Sequence, residues 1–392
     1  MRAHLSLGSS VVRIALPALV GFVLFRFGYE LWRMLNAPSP LGGNDLYSRY
    51  GETHRWFADL LVYTHSRHAG YPPASYALLW PLLGWLPWTL ARWLWTGLNL
   101  GVLGLLMRSM VRQSGAGTRG QQVLLVLVLL AAYPLPVTLG NGQLGILTLT
   151  AMLAGVFLLE RGGAPRWRRD LVVAALLVFA LLKPSLTAPF LLLVVFRPRR
   201  LRPTVFVMLG YAALTWLAMA FRSRTLFVEF AALVDVSSQV VVRTGHAHLP
   251  LWLATLGLGA WNGLASLLVL LGLAFWVARN RSAGLWPMLA VIAIVGRLAS
   301  YHGVYDDSLI LLAIVALFRI ARDAARSGER DVVAELVLLL VCVPLLLPVT
   351  MATRGLPWSL VHHVLAPITW LMAAAYLARH CSREKVRTML PA

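Results

Sequence analysis

The sequence predicts an all-α, polytopic integral membrane protein, on three observations. Hydrophobic residues make up 59% of the 392 and charged residues only 13%, and mean hydropathy is +0.73. Soluble domains carry about 25% charged residues, so much of this chain's surface must face lipid. Several apolar stretches reach the roughly 20 residues that a helix needs to cross about 30 Å of hydrocarbon, and few show the alternation of a membrane β-strand. The arginines fall in short clusters between apolar runs, the pattern that orients membrane helices.

That clustering also decides what the net charge of +20 means. Nucleic-acid binding needs one continuous basic face, which is not what this spacing gives. Only Lys183 and Lys385 among the 35 basic residues are lysines; the arginine bias is expected to reflect genome composition as much as physics and is given no functional weight. The start, Met1-Arg2-Ala3-His4, leads into an apolar run with no small-residue cleavage site, so the first helix is expected to be retained. Cys342 lies in an apolar run and Cys381 in a basic stretch, so neither a disulfide nor a thiol–metal site is implied.

Taken in order, helices are expected near 12–34, 121–138, 143–160, 204–221, 262–278, 285–298, 308–322, 332–350 and 362–379. Residues 170–196 are apolar but split by Lys183-Pro184; proline lacks an N–H and breaks a helix, so two half-helices meeting near the outer face are expected. Leu86-Pro87 divides residues 73–108 into a re-entrant piece and one span. The total is about 10 to 12 membrane segments in one integrated domain, 1–379, followed by a solvated basic tail, 380–392. Arginine-rich loops mark the cytoplasmic side. The remaining connections, 37–72, 134–143, 222–250, 298–308 and 351–363, hold most of the Asp, Glu, His, Tyr and Pro and are assigned to the extracytoplasmic face of a plasma-membrane protein.

Chemistry concentrates in those outer connections. Asp45, Glu52 and Asp59 recur every seven residues and would share one face of a helix, which Tyr50, Trp56 and Phe57 would let lie along the membrane interface. A partly desolvated carboxylate there can act as general base on a sugar hydroxyl. The same three residues also read as solvated charges paired with Arg49 and Arg55. Tyr71-Pro72-Pro73 begins a membrane helix, where proline is well tolerated. Lys183 lies between Leu182 and Pro184 with apolar runs on both sides, and intramembrane charge is a functional signal by default; it could contact a phosphate, as could Arg297 and Arg243. His302, Asp306 and Asp307 sit between two apolar runs and need water, each other or a ligand. A divalent cation there would need further ligands such as His246 and His248; no metal ligand set is assigned.

An acidic residue after the first helix, Tyr71-Pro72-Pro73, Gly142-Gln143 and Lys183-Pro184, in that order, resemble glycosyltransferase family 87. The likeness runs in motif order over roughly residues 10–320. The family belongs to the GT-C class of polytopic enzymes, so the resemblance implies transfer of a sugar, mannose being the family's best-known one, from a polyprenyl phosphate to a lipid or glycan acceptor. It implies inversion, no cofactor, Asp45 as the base, and Glu52, Tyr71, Gln143, Lys183, Arg297, His302 and Asp306 as substrate contacts. Ser300-Tyr301-His302 matches the family's Ser-x-x-His-like element only loosely. Two other readings remain: a lipid or small-anion flippase, which would favour midplane polar residues and an inverted repeat, and an inactive relative of the family.

Overall fold

The computed structural model describes residues 9–38, 41–66, 69–161, 167–196, 201–243, 247–347 and 361–389. Among these there are helices and turns and no strand. The helices are α1 (Ser9–Asn36), α2 (Asn44–Phe57), α3 (Pro73–Leu83), α4 (Trp88–Ser114), α5 (Arg119–Ala131), α6 (Pro134–Asn141), α7 (Gly145–Glu160), α8 (Trp167–Ala180), α9 (Pro184–Thr187), α10 (Leu191–Phe196), α11 (Leu201–Met219), α12 (Leu226–Arg243), α13 (Leu249–Thr255), α14 (Asn262–Arg279), α15 (Leu285–Ala299), α16 (Leu311–Arg326), α17 (Val332–Leu346) and α18 (Ala366–Met389). A 3-10 segment, Val304–Ile310, leads into α16.

Helix ends fall where the local chemistry puts them. Pro73 and Pro134 occupy first turns, where a missing N–H costs nothing. Thr118 caps α5 by accepting from the Gln121 N–H at 3.2 Å. Pro134 and Pro136 divide the run expected at 121–138 into α5 and α6, bent by 53°. Pro184 divides the next into α8 and the α9–α10 segment, and the 118° bend sends the chain back on itself, which is the pair of half-helices expected there.

The centre of the fold is α15 and α16. Met288–Ile294 and Leu309–Leu317 are buried throughout, as expected of helices that are apolar all round. α15 packs on α14, α16 and α18, α17 on α16 and α18, α7 on α8 and α4, and α11 on α3 and α8. By contrast α11 and Gly259–Arg279 expose most of their apolar side chains, which are then solvated by lipid.

The structure departs from the sequence-based picture in several places. Among the described residues, four helical stretches are long and apolar enough to cross a membrane (Trp88–Ser114, Leu201–Met219, Gly259–Arg279 and Val361–Arg383), or six if each bent pair counts as one span, which does not confirm the 10 to 12 segments expected. The reason is length: α7, α15 and α17 have 15 or 16 residues, short of the roughly 20 that span hydrocarbon unaided. The connection at 222–250 contains α12 and the start of α13. The basic stretch after residue 379 continues α18 to Met389, with Cys381 buried in the core. Residues 351–360 of the last outer connection lie outside the described residues.

The first-loop helix is also not a solvated surface helix. α2 buries Leu46, Arg49, Glu52, Thr53 and Trp56. The Trp56 indole N–H donates to the Ala218 carbonyl at 2.9 Å and the Tyr50 hydroxyl to the Leu86 carbonyl at 2.9 Å, tying α2 to α11 and to the turn before α4. Asp59 does not share the face of Asp45 and Glu52: it lies past the helix end at φ 55° and pairs with Arg222 at 3.3 Å.

Candidate active site

Backbone geometry sets the site. Gly142 ends α6 at φ +69°; its N–H bonds to the Leu139 carbonyl at 3.0 Å and that of Gln143 to the Thr138 carbonyl at 2.9 Å, a left-handed helix closure that glycine makes without strain. A Cβ on Gly142 would lie 2.6 Å from the Leu46 Cβ, so α2 starts in direct contact with this turn. Gly43, also left-handed at φ +61°, docks α2 by donating to the Gly140 carbonyl at 3.0 Å. The Gly-Gln pair is thereby explained: glycine admits the close approach, and Gln143 is aimed at Asp45. Gly142→Ala is expected to destabilise the protein by about 1–3 kcal/mol through the left-handed backbone alone and to lower the thermal midpoint in detergent.

Lys183 sits at the α8–α9 break. Its Nζ is 2.5 Å from Asp306 Oδ1 and 3.4 Å from Gln143 Oε1, and it stands 4.6 Å from the centre of the Tyr305 ring. Asp306 also accepts from the Gly303 N–H at 3.2 Å and lies 3.1 Å from His302 Nδ1. Burial disfavours the charged carboxylate, but Lys183 and His302 outweigh it and hold Asp306 well below the ordinary range. Burial lowers the His302 pKa; its ring lies between Asp306 at Nδ1 and Ser300, 3.1 Å from Nε2.

Asp45, Tyr71, Gln143, Lys183 and Asp306 line one cavity together with Arg49, Ser237, Tyr301 and Tyr305. Five of the eight expected site residues thus meet, drawn from α2, the segment before α3, the α6–α7 turn, the α8 break and the 3-10 segment. Two more stand one contact behind. Glu52 is buried and bonds Arg49 at 2.7 Å, Ser66 at 2.9 Å and Tyr76 at 3.4 Å, while Arg49 stacks 4.3 Å above the Tyr71 ring. His302 reaches the cavity only through Asp306.

Arg297 is not at the cavity. It is fully buried, 2.5 Å from Asp307, which also accepts from Tyr133. The two adjacent aspartates therefore point apart: Asp306 into the cavity, Asp307 into a buried clamp between α15 and the start of α6. Sequence reasoning placed Arg49 only as a surface partner of Glu52. Its position one helical turn after Asp45 was the signal that it shares that residue's face.

Asp45 is half-buried. Burial raises its pKa, Asp306 adds to the rise, and Gln143, Arg49 and Lys183 moderate it. Arg49 and Lys183 each have their own carboxylate at 2.7 and 2.5 Å; Asp45 has neither to itself and is hydrogen-bonded by Gln143. His248 instead caps α13, its Nδ1 accepting from the Leu251 N–H at 3.1 Å; His246 and the Arg243 side chain lie outside the described residues. Among the described residues, no three His, Cys, Asp or Glu side chains are grouped to hold a metal ion.

The profile of glycosyltransferase family 87 matches residues 70–348, most of the chain. The chain belongs to glycosyltransferase family 87. It is therefore a membrane glycosyltransferase by family, with a sugar donor and an acceptor as substrates. Neither a curated protein nor a solved structure matches it significantly. The family match begins after α2, so Asp45 lies ahead of it, whereas Tyr71, Gln143, Lys183 and Asp306 lie within it. The fold joins the two parts in one cavity.

Proposed function

We propose that this family 87 glycosyltransferase moves a hexose, mannose in the first instance, from a polyprenyl phosphate to a lipid or glycan acceptor at the extracytoplasmic face of the plasma membrane. The observation that carries the reading is the Asp45 carboxylate facing the Lys183–Asp306 pair across a single cavity. Asp45 takes the proton of the acceptor hydroxyl as that oxygen bonds to the anomeric carbon. The bond from that carbon to the phosphate oxygen breaks on the opposite side, its electron pair leaves with the phosphate, and configuration inverts.

Lys183 is a preorganised cation for the leaving phosphate, because Asp306 and Gln143 fix its position before the substrate arrives. Arg49, which also faces the cavity, takes the second cationic role that the sequence had suggested for Arg297. Arg297 contributes by locking Asp307, and hence the 3-10 segment that carries Asp306. At about 110 Å³ the cavity is below the roughly 300 Å³ of a site that encloses a whole small molecule. It suits the polar head of a substrate whose lipid chain stays in the bilayer.

The test is transfer from radiolabelled polyprenyl-phosphate mannose in membranes containing the protein, with extracted bacterial lipids as acceptors. A new labelled lipid is expected; its absence with mannose and with other polyprenyl-phosphate hexoses, alongside lipid flipping, would replace the reading with a flippase. The pH profile has a definite sign. A base must be ionised, and the Asp45 pKa is raised, so kcat/KM should fall on acidification in a limb above the ordinary aspartate value of about 3.9. Gln143→Ala removes a hydrogen bond that favours the charged form and should move that limb further up in pH.

A further inference from the structure

Beside the cavity, α12 divides its side chains between two sides. Within α12, Glu229, Leu233 and Val236 are buried, whereas Phe227, Phe230 and Val234 are 82%, 57% and 53% exposed. The spacing of three and four residues puts each set on its own side of the helix. Glu229 is held inward by Arg222, which bonds it at 2.7 and 3.1 Å and also reaches the Trp56 and Leu60 carbonyls at 3.3 and 3.0 Å. Leu233 and Val236 pack in a cluster with Trp56, Tyr63 and Tyr76. The orientation of α12 is thus fixed by a buried ion pair and an apolar contact, and its two phenylalanines face outward as a consequence.

We propose that this outward face is seated in the bilayer at the boundary of headgroups and acyl chains, and that α12 forms one wall of the route from lipid to cavity; the second half of the proposal rests on the proposed function. Two observations name lipid as the occupant. α12 follows α11 in the chain, a candidate span that ends just before it and exposes Trp216 and Leu217, with Phe221 exposed in the turn between them. α12 itself carries Glu229, Asp235 and Arg243, which suits a helix lying in the interface and not one crossing the hydrocarbon. Its far half turns polar where it reaches the cavity: Ser237 lines it, with Ser237 Oγ 3.8 Å from where a Cβ on Gly70 would sit, and Asp235, Ser238 and Gln239 are exposed beside it. A substrate with a polar head and a polyprenyl chain would find its two environments along this one helix.

The test is independent of glycosyl transfer. In a Cys342→Ala, Cys381→Ala background in liposomes, single nitroxide labels are placed at Phe227→Cys, Phe230→Cys and Gln239→Cys, and collision with molecular oxygen and with a water-soluble nickel chelate is measured. The labels at 227 and 230 should show an oxygen-to-nickel ratio severalfold above that at 239. A nickel accessibility at 227 equal to that at 239 would overturn lipid seating, and so would shielding from both reagents, the signature of a protein partner. Photocross-linking of the unsubstituted protein by a phospholipid with a reactive group high on its acyl chain should label the 226–243 peptide, and its absence there would count equally against the proposal. These readouts keep their meaning if no sugar transfer is found.

Discussion

Asp45→Asn should lower the rate of sugar transfer by about a hundredfold to ten-thousandfold, the range that a positioned general base contributes, while leaving the folded protein intact. The substitution keeps the shape of the side chain and a polar group beside Gln143 but removes the proton acceptor. Stability should hold or rise slightly, because the partial burial of the Asp45 carboxylate already works against its charge and an amide carries no such cost. kcat should carry the loss, with KM for the donor near that of the wild type, since in the proposed reaction Asp45 acts on the acceptor hydroxyl. The measurement is initial rate against each substrate, with a melting curve of the same preparation. Undiminished transfer by a folded Asp45→Asn protein would remove Asp45 from the mechanism and turn attention to His302.

The second large effect is on stability. Lys183 and Asp306 are buried and lie 2.5 Å apart, and both are tied further, to Gln143 and to His302 and Gly303. Removing one partner strands the other as an uncompensated buried charge, which typically costs 3–5 kcal/mol. Lys183→Met should therefore lose about that much in reversible denaturant unfolding in mixed micelles. Asp306→Asn should lose a comparable amount. The double variant should be much less damaged than the sum of the two, because it leaves no orphaned charge. It should nonetheless remain inactive, since the preorganised cation is gone. If the two single effects add in the double variant, the pair is not energetically coupled and Lys183 is held by other contacts.

Separating these outcomes separates two roles that static geometry merges. A variant that is stable but inactive marks chemistry, as expected for Asp45. One that is unstable, rescued in stability by its partner and still inactive, marks a charge that is both structural and functional, as expected for Lys183. Arg297 should behave differently from either. Its distance from the cavity and its buried bond to Asp307 make it a positioning residue, so its loss should act on folding and, through the 3-10 segment, on the placement of Asp306.

Much of the fold was legible in the sequence because the signals were local. Apolar run length marks a helix wherever it occurs, proline marks where it must stop, and the Lys183-Pro184 break followed from a missing N–H. The site residues were legible as individuals for the same reason: an Asp, a Lys or a His beside a long apolar run must be partnered or functional. What misled was reading polar connections as loops on a surface. Residues 226–243 carry charges at 229, 235 and 243, which set them apart from a span although they are otherwise apolar, and they form a helix whose inward charge is neutralised by Arg222. The first-loop helix, rich in charge, looked solvated, and its Arg49 and Glu52 instead satisfy one another inside the protein.

By itself, then, the sequence determined the class of the molecule, its helical character, its membrane solvent and its family, together with a short set of polar residues that an apolar chain has no structural reason to carry. Only the tertiary structure decided which of them act together. Asp45, Gln143, Lys183 and Asp306 are separated by up to 261 positions in the chain, and no periodicity links them. They meet because glycine at 142 lets α2 touch the α6 turn, because Pro184 folds α8 back, and because adjacent Asp306 and Asp307 find different cations on opposite sides of one turn. Pairing of that kind depends on distances across the packed protein, where a buried charge is stable only beside its counter-charge, and a linear pattern holds no information about which arginine or lysine that will be.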